Sequence, residues 1–286
     1  MADLDLWVQK SFLSNYADDT QTCVIADTPE ELREIVEEES KAVLNFFSGI
    51  NLCNNADKAA LLVNSKGSGK QMTIDDIGGK SVKSKDQERL LGLQVNSNLD
   101  WKSHINYLCN KLKQRLALLR RIKLRVPRET LRIISEAIFF SKLRYGIAVY
   151  YLPRLTENDE KCTVQECLQV VQNDMVRELF GHRRKDRINM QTLREKHNMM
   201  SVNQLACYHI LIETFNILYN DSSPQILEKI GHRENKRYEM RSNVREDLHI
   251  IEKPKKAVQD LHMCQENYGI CFQRTTEKSK EQVFSS

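Results

Sequence analysis

The chain has 286 residues, of which 41% are hydrophobic and 29% are charged. This length corresponds to about two domains, and the composition supports a buried core and excludes a disordered polymer. No apolar run reaches the roughly 18 residues that cross a bilayer, and the start, MADLDLWVQK, lacks the apolar stretch of a signal peptide. Eight cysteines without CxxC pairs are typical of reduced thiols. The sequence therefore predicts an intracellular protein, cytoplasmic or nuclear, with no membrane partner.

Charge is distributed unevenly along the chain. Residues 1–60 contain twelve acidic and four basic side chains, whereas residues 101–145 contain twelve basic and two acidic ones. Apolar residues are interleaved with the cations of the second segment. That segment is either a structured element that lies against a polyanion or an ordinary solvated helix face, and charge alone leaves both interpretations open.

The first hundred residues predict a small α+β layer. Two short runs at 9–14 and 21–26 are separated by a turn rich in Asn and Asp, which predicts a β-hairpin. A helix is predicted from about 29 to 48, because Thr28-Pro29-Glu30-Glu31 is a capping pattern and apolar residues follow at helical spacing. Further strands are predicted at 59–63, 71–75 and 89–96.

After Asp100 the pattern becomes helical. Apolar residues at helical spacing predict a helix that ends at the Arg125-Val126-Pro127 break, followed by one continuous helix at 128–151. Further helices are predicted at about 163–180 and 201–219. The polar chain from 233 onward is predicted to be poorly ordered.

The sharpest feature is Tyr16-Ala17-Asp18-Asp19 at the tip of the predicted hairpin. Adjacent carboxylates on a rigid turn are oxygen ligands of the kind that Mg²⁺ prefers, although an Asp-Asp pair in a turn is frequently structural. Two more segments follow in order. They are Gly49-Ile50-Asn51-Leu52-Cys53-Asn54 leading to Lys58, and Leu91-Gly92-Leu93 with Trp101 and His104 downstream.

Taken together, these segments resemble the reverse transcriptases of non-LTR (LINE-type, jockey-like) retrotransposons over about residues 10–152. The resemblance implies an α+β fold in which residues 1–99 are part of a polymerase palm with a hairpin, a helix and short strands. Residues 100–152 would be a basic, thumb-like helical region, and residues 153–286 a helical C-terminal region. The implied activity is Mg²⁺-dependent nucleotidyl transfer by an RNA-directed DNA polymerase, with an RNA template and a DNA primer as partners.

The resemblance also implies roles for individual residues. Asp18 and Asp19 would be catalytic carboxylates that hold Mg²⁺, and Lys58 would lie near the nucleotide phosphates, although by itself it is better explained as a solvated lysine. The nucleotide and the primer end would be bordered by Tyr16, Ala17, Leu91 and Gly92. The phosphate backbone of the template–primer duplex would be contacted by four residues: Lys111, Arg115, Arg120 and Arg121.

The chain also departs from the family. The family's palm requires a further metal-binding aspartate on an earlier strand, and only fifteen residues precede Tyr16. We therefore expect that the chain alone does not polymerise DNA, that the missing N-terminal part of the polymerase is a possible partner, and that the hairpin has an open edge and an uncovered apolar face. The alternative is a non-catalytic, retroelement-derived helical module that binds nucleic acid or protein.

Overall fold

The structure is a computed structural model that describes residues 3–16, 19–52, 58–64, 71–75, 77, 80–154, 163–220, 230–232, 248–250 and 268–274. The chain forms two compact units, one of residues 1–100 with 254–286 and the other of residues 101–253. Helices and strands are both present, so the predicted mixed α+β class is confirmed.

The N-terminal unit is built from one long helix and a set of short strands. The helix is α1 (Pro29–Gly49), and a short 3-10 turn (Leu4–Leu6) precedes the first strand. The strands are β1 (Phe12–Tyr16), β2 (Asp19–Ile25), β3 (Ala60–Asn64), β4 (Thr73–Ile74), β5 (Val82–Lys85), β6 (Gln87–Leu90), β7 (Leu93–Asn96) and, from the far end of the chain, β10 (Tyr268–Arg274).

Strand β10 lies in the middle of the main sheet, whose strand order is β1-β2-β10-β3-β5-β4. It is antiparallel to β2 on one side and to β3 on the other. The hairpin therefore has a partner strand on its β2 side, which corrects the predicted open edge there, and residues 268–274 of the chain after 233 form a strand. The physical reason is that β2 and β3 do not pair with each other, so the backbone N–H and C=O groups on their facing edges are satisfied by a third strand.

Helix α1 packs across this sheet, as its sequence pattern predicts. Thr28 caps its start by accepting a hydrogen bond from the Glu31 N–H at 3.2 Å, and Pro29 occupies the first turn. Its apolar stripe is divided between two clusters. Leu32 and Val36 join the sheet residues, whereas Val43, Phe46 and Phe47 pack with the chain start; both clusters are buried.

The second unit is mainly helical. Its longer helices are α2 (Lys102–Ile122), α6 (Thr163–Phe180) and α8 (Val202–Tyr219), and its shorter ones are α3 (Arg128–Ser135), α4 (Ser141–Arg144), α5 (Ile147–Tyr150) and α7 (Met190–Lys196). A small antiparallel pair of strands, β8 (Ile230–His232) and β9 (Leu248–Ile250), also belongs to it. Of these two strands, β9 lies in the chain after 233, for which the sequence predicts poor order; apart from β9 and β10, the positions after 233 lie outside the described residues.

The prediction of one continuous helix at 128–151 is wrong. After α3 the chain makes a π-helical segment, Glu136–Phe140, and after α4 it breaks at Tyr145 and Gly146. Gly146 has a φ of +67°, a left-handed conformation that glycine adopts without penalty. Apolar periodicity continues across such breaks, so the pattern predicts the buried face but misses the interruption.

The core of the second unit forms where α2 packs against α6. The five apolar residues that predicted α2 are all buried: Ile105, Leu108, Leu112, Leu116 and Leu119. At the start of α2, His104 is also buried, with its ring centroid 4.8 Å from that of Tyr150. Burial lowers the pKa of His104 to about 4, with a smaller contribution from the positive charge of Lys142.

The unfolding free energy is expected to fall as the pH drops from neutral to 5. The unfolded His104, with an ordinary pKa of 6.5, takes up a proton in this range, whereas the folded residue, with a pKa of about 4, stays neutral. Protonation therefore favours the unfolded state, by about 2 kcal/mol at pH 5. Urea unfolding at pH 7 and pH 5 measures this loss. We expect His104→Phe to remove most of it, and an unchanged pH dependence in that variant would contradict the assignment.

Candidate functional site

The predicted hairpin is present, and Tyr16 and Asp19 close it. These two residues are register partners at the ends of β1 and β2. Tyr16 is 67% exposed and Asp19 is partly buried. Ala17 and Asp18 lie outside the described residues. The two described residues of the segment, Tyr16 and Asp19, therefore lie at the end of the hairpin, where the sequence analysis expects them.

A buried carboxylate, Glu39 of α1, holds the chain that enters the hairpin. Glu39 is 3% exposed and accepts hydrogen bonds from the backbone N–H groups of Gln9 at 3.2 Å and Lys10 at 3.0 Å. It also accepts one from the Ser11 hydroxyl at 2.8 Å. The sequence analysis missed this residue. The sequence signal for Glu39 is its spacing: it follows Val36 by three residues and so lies on the same, core-facing side of the helix.

Asp19 has two notable neighbours: the buried hydroxyl group of Thr20 and, across the sheet, a basic residue as its register partner. Next to Asp19, the Thr20 hydroxyl oxygen is buried and has no hydrogen-bond partner among the described residues. On the other side of β2, the register partner of Asp19 is Arg274 of β10. Cross-strand partners are close neighbours, so the sheet places a basic residue opposite this carboxylate.

The other predicted residues of this site are in the same unit. Lys58 is exposed, two residues before β3. Leu91 and Gly92 form a two-residue turn that joins β6 to β7, with φ values of +44° and +87°. Positive φ at both positions is typical of the turn type that closes a twisted hairpin. Leucine rarely adopts this conformation, so Leu91 is a strained position at a predicted primer-binding turn.

Magnesium is the metal ion that the resemblance implies for the hairpin carboxylates. Mg²⁺ prefers oxygen ligands and usually takes one or two protein carboxylates together with phosphate oxygens of the substrate. Asp19 is such a donor, and Asp18 would be the second. Within the described part of the chain, no group of three or more His, Cys, Asp or Glu side chains is placed to hold a metal ion.

Two of the four predicted backbone-binding residues on α2 have partners within the protein. Arg115 donates a hydrogen bond to the carbonyl oxygen of Ile138, in the π-helical segment. Carbonyl groups in such a segment lie out of the regular helical pattern, so Arg115 stabilises that irregularity. Arg120 donates to a Glu178 carboxylate oxygen at 2.7 Å, and Lys123 bonds the other oxygen.

Glu178 is partly buried, which by itself would raise its pKa, but the hydrogen bonds from Lys123 and Arg120 lower the pKa overall. The carboxylate is therefore ionised at neutral pH and offsets the positive charge on this side of α2. The other two predicted residues, Lys111 and Arg121, are exposed. Lys111 lies over the Tyr107 ring, 5.7 Å from its centroid.

A second group of cations lies elsewhere in the helical unit. Arg128 Nη2 is 3.7 Å from the position that a Cβ would occupy on Gly181, so the start of α3 lies beside the loop after α6. That loop and its surroundings are rich in positive charge. We call the following residues the basic cluster: Arg128, Arg132, His182, Arg183, Lys185, Arg187 and Lys196.

Three members of the cluster, Lys196, Arg132 and His182, lie near His197. Its pKa is lowered by partial burial and then by the positive charges of Lys196, Arg132 and His182. Its ring also stacks on Phe180, with centroids 3.5 Å apart and planes 9° from parallel. The sequence signal for this cluster was the run HRRKDR at 182–187, whose neighbours on α3 and α7 no local pattern could identify.

One acidic residue fixes the geometry of this loop. Asp174 of α6 is largely buried and accepts hydrogen bonds from Arg184 Nε at 2.9 Å and Arg177 Nη1 at 3.1 Å. Arg184 therefore reaches back to α6 although its side chain is 70% exposed, and Arg183, Lys185 and Arg187 on either side of it are exposed as well. The arrangement can attract phosphate groups through charge without reading a base sequence.

No helix in the described ranges is long and apolar enough to cross a membrane. In comparisons with known proteins, no family model, no curated protein and no solved structure matches this chain.

Proposed function

We propose that this chain is part of an RNA-directed DNA polymerase of the non-LTR retrotransposon type, to which it contributes the carboxylate hairpin and a helical unit that binds nucleic acid. The observation that supports this best is the hairpin closed by Tyr16 and Asp19, with α1 and the buried strand β3 following it in that order. This order of elements is the one that the resemblance implies, and it supports the assignment of Asp18 and Asp19 to the metal site.

The residues at the hairpin have chemically distinct tasks in this proposal. Asp18 and Asp19 would hold Mg²⁺, which when bound neutralises charge on the phosphates of the reacting nucleotide. Exposed Tyr16 offers an aromatic face to a base or sugar at the primer end. Lys58 would pair with phosphate oxygens. The family's further aspartate has no counterpart among the matching residues, so we expect no nucleotide incorporation without it.

A non-catalytic, nucleic-acid-binding module is the second candidate. The register that places Arg274 opposite Asp19 favours it, because a basic residue at this register position would compete with a metal cation for the carboxylate. In both candidates the helical unit binds a nucleic acid. They differ in whether the hairpin carboxylates take part in catalysis.

Binding of an RNA–DNA hybrid duplex tests the shared part. We expect the triple variant Arg128→Gln, Arg132→Gln and Lys185→Gln to bind about 10- to 100-fold more weakly, because three phosphate contacts are lost. The slope of log affinity against log salt concentration should fall by about 3. Fluorescence anisotropy of a labelled duplex at several salt concentrations measures both quantities.

The matched control is Lys83→Gln, Lys113→Gln and Arg125→Gln, which removes three exposed charges that belong neither to the basic cluster nor to the predicted backbone contacts on α2. An equal loss in the two variants would show that general charge, not the basic cluster, governs binding. Binding by wild type that does not depend on salt would contradict the proposal. In the same samples with Mg²⁺ and deoxynucleotides, incorporation that disappears in Asp18→Ala would overturn the expected inactivity of the chain alone.

A further inference from the structure

Helix α8 carries an exposed apolar stripe that the proposed function does not use. The helix packs against α5 and α6, where Val202 and Ala206 are fully buried. Elsewhere on it, five large apolar side chains are between 37% and 68% exposed. We call these residues the α8 stripe: Tyr208, Leu211, Ile212, Phe215 and Tyr219. Isolated exposed apolar residues are ordinary, whereas a contiguous stripe marks an interaction surface.

The stripe has the spacing of a helix–helix seam. Its residues, with Leu218 beside them, recur at intervals of three and four, which places them along one side of a helix. Phe215 and Tyr219 are already packed together, with ring centroids 4.7 Å apart. Glu213 is the one charged residue in the sequence of α8. The surface is therefore aromatic, nearly uncharged and preformed on a regular element.

We propose that the α8 stripe is the interface of a homodimer, in which it packs against the same stripe of a second copy of the chain. Five half-exposed side chains of this size offer on the order of 500 Å² per copy. Two copies would bury about 1,000 Å², the lower limit for a specific interface. A stripe without charge attracts no oppositely charged partner, but it is complementary to itself, as a twofold interface requires.

The area predicts a weak dimer, with a dissociation constant in the micromolar range. Sedimentation equilibrium of the full chain from about 1 to about 100 µM should therefore show a concentration-dependent dimer. We expect the double variant Leu211→Glu and Phe215→Glu to raise the dissociation constant at least about 100-fold, because each copy would then bring two charges to the seam. The matched control is Leu124→Glu, which charges an isolated side chain that is 87% exposed and should dimerise as wild type does.

A charge-swap experiment separates dimerisation from any effect on folding. The double variant Leu211→Lys and Phe215→Lys should also be monomeric, and an equimolar mixture with the glutamate variant should form heterodimers, since opposite charges then meet at the seam. Recovery in the mixture would support the proposal. A monomeric wild type throughout this range would overturn it, including the case in which another protein covers α8, and so would a glutamate variant that still dimerises.

Discussion

Replacing Ile270 with proline is expected to abolish the cooperative unfolding of the N-terminal unit. Ile270 is the register partner of Cys23 on β2 and of Leu62 on β3, so it lies in the centre of the sheet. Proline there removes a ladder hydrogen bond and leaves the carbonyl group of a neighbouring strand without its donor. A loss of at least about 3 kcal/mol follows from these effects. Ile270→Val, which keeps the backbone donor, should unfold close to wild type.

The position of β10 can be tested without destabilising the sheet. Because Ile270 faces Cys23 in the register, Ile270→Cys should form a disulfide with Cys23 on mild oxidation. Opposite residues of an antiparallel pair have Cα atoms about 4.5–5.5 Å apart, within the range of disulfides. The control Gly269→Cys lies opposite Val24, so its side chain points to the other face of the sheet and should not pair with Cys23.

Peptide mapping after oxidation identifies the linked residues. Two results together would show that β10 does not hold the sheet together. The Ile270→Pro variant would unfold with the same free energy as wild type, and the cysteine of Ile270→Cys would pair at random instead of with Cys23. The expected results would instead establish that the two ends of the chain form one folded unit. The candidate carboxylate of Asp19 then has Arg274 as its neighbour whenever β10 is in place.

The sequence predicts those parts of the fold that local patterns determine. The buried faces of α1 and α2 follow from the recurrence of apolar residues, and the hairpin follows from the Asn- and Asp-rich turn between two short runs. Features that depend on distant parts of the chain were not predicted. The pairing of β10 with β2 and β3 joins residues more than 200 positions apart, and no local pattern encodes such a pairing.

The same limit applies to the candidate site. The sequence places Tyr16 and Asp19 at the end of a ribbon, and the register agrees. It does not show that Arg115 and Arg120 are used inside the protein, because a run of cations contains no information on which acceptors the fold brings near them. Conversely, Glu39 could have been noticed, since an acid on an apolar helix face needs buried donors to satisfy it.

Replacing Glu39 with alanine is expected to destabilise the N-terminal unit by about 3–5 kcal/mol, although the neighbouring Glu38→Ala should have no measurable effect. Glu39 is buried and accepts two backbone hydrogen bonds and one from Ser11, so its removal leaves three donors without their acceptor. Glu38 is exposed and bonds only the exposed Lys10 ammonium group, 2.6 Å away, among the described residues. Exposed ion pairs of this kind contribute little because solvent screens them.

The comparison of these two glutamates also tests what positions the hairpin. The three donors belong to residues 9–11, directly before β1. Loss of their acceptor should therefore free this segment and loosen the start of the hairpin. Hydrogen exchange of the β1 amides should then become faster in Glu39→Ala and stay unchanged in Glu38→Ala. Glu39→Gln keeps one acceptor oxygen but loses the charge, so it should give an intermediate unfolding free energy. Equal stability of the two alanine variants in urea unfolding would show that the chain entering β1 is held by apolar packing alone.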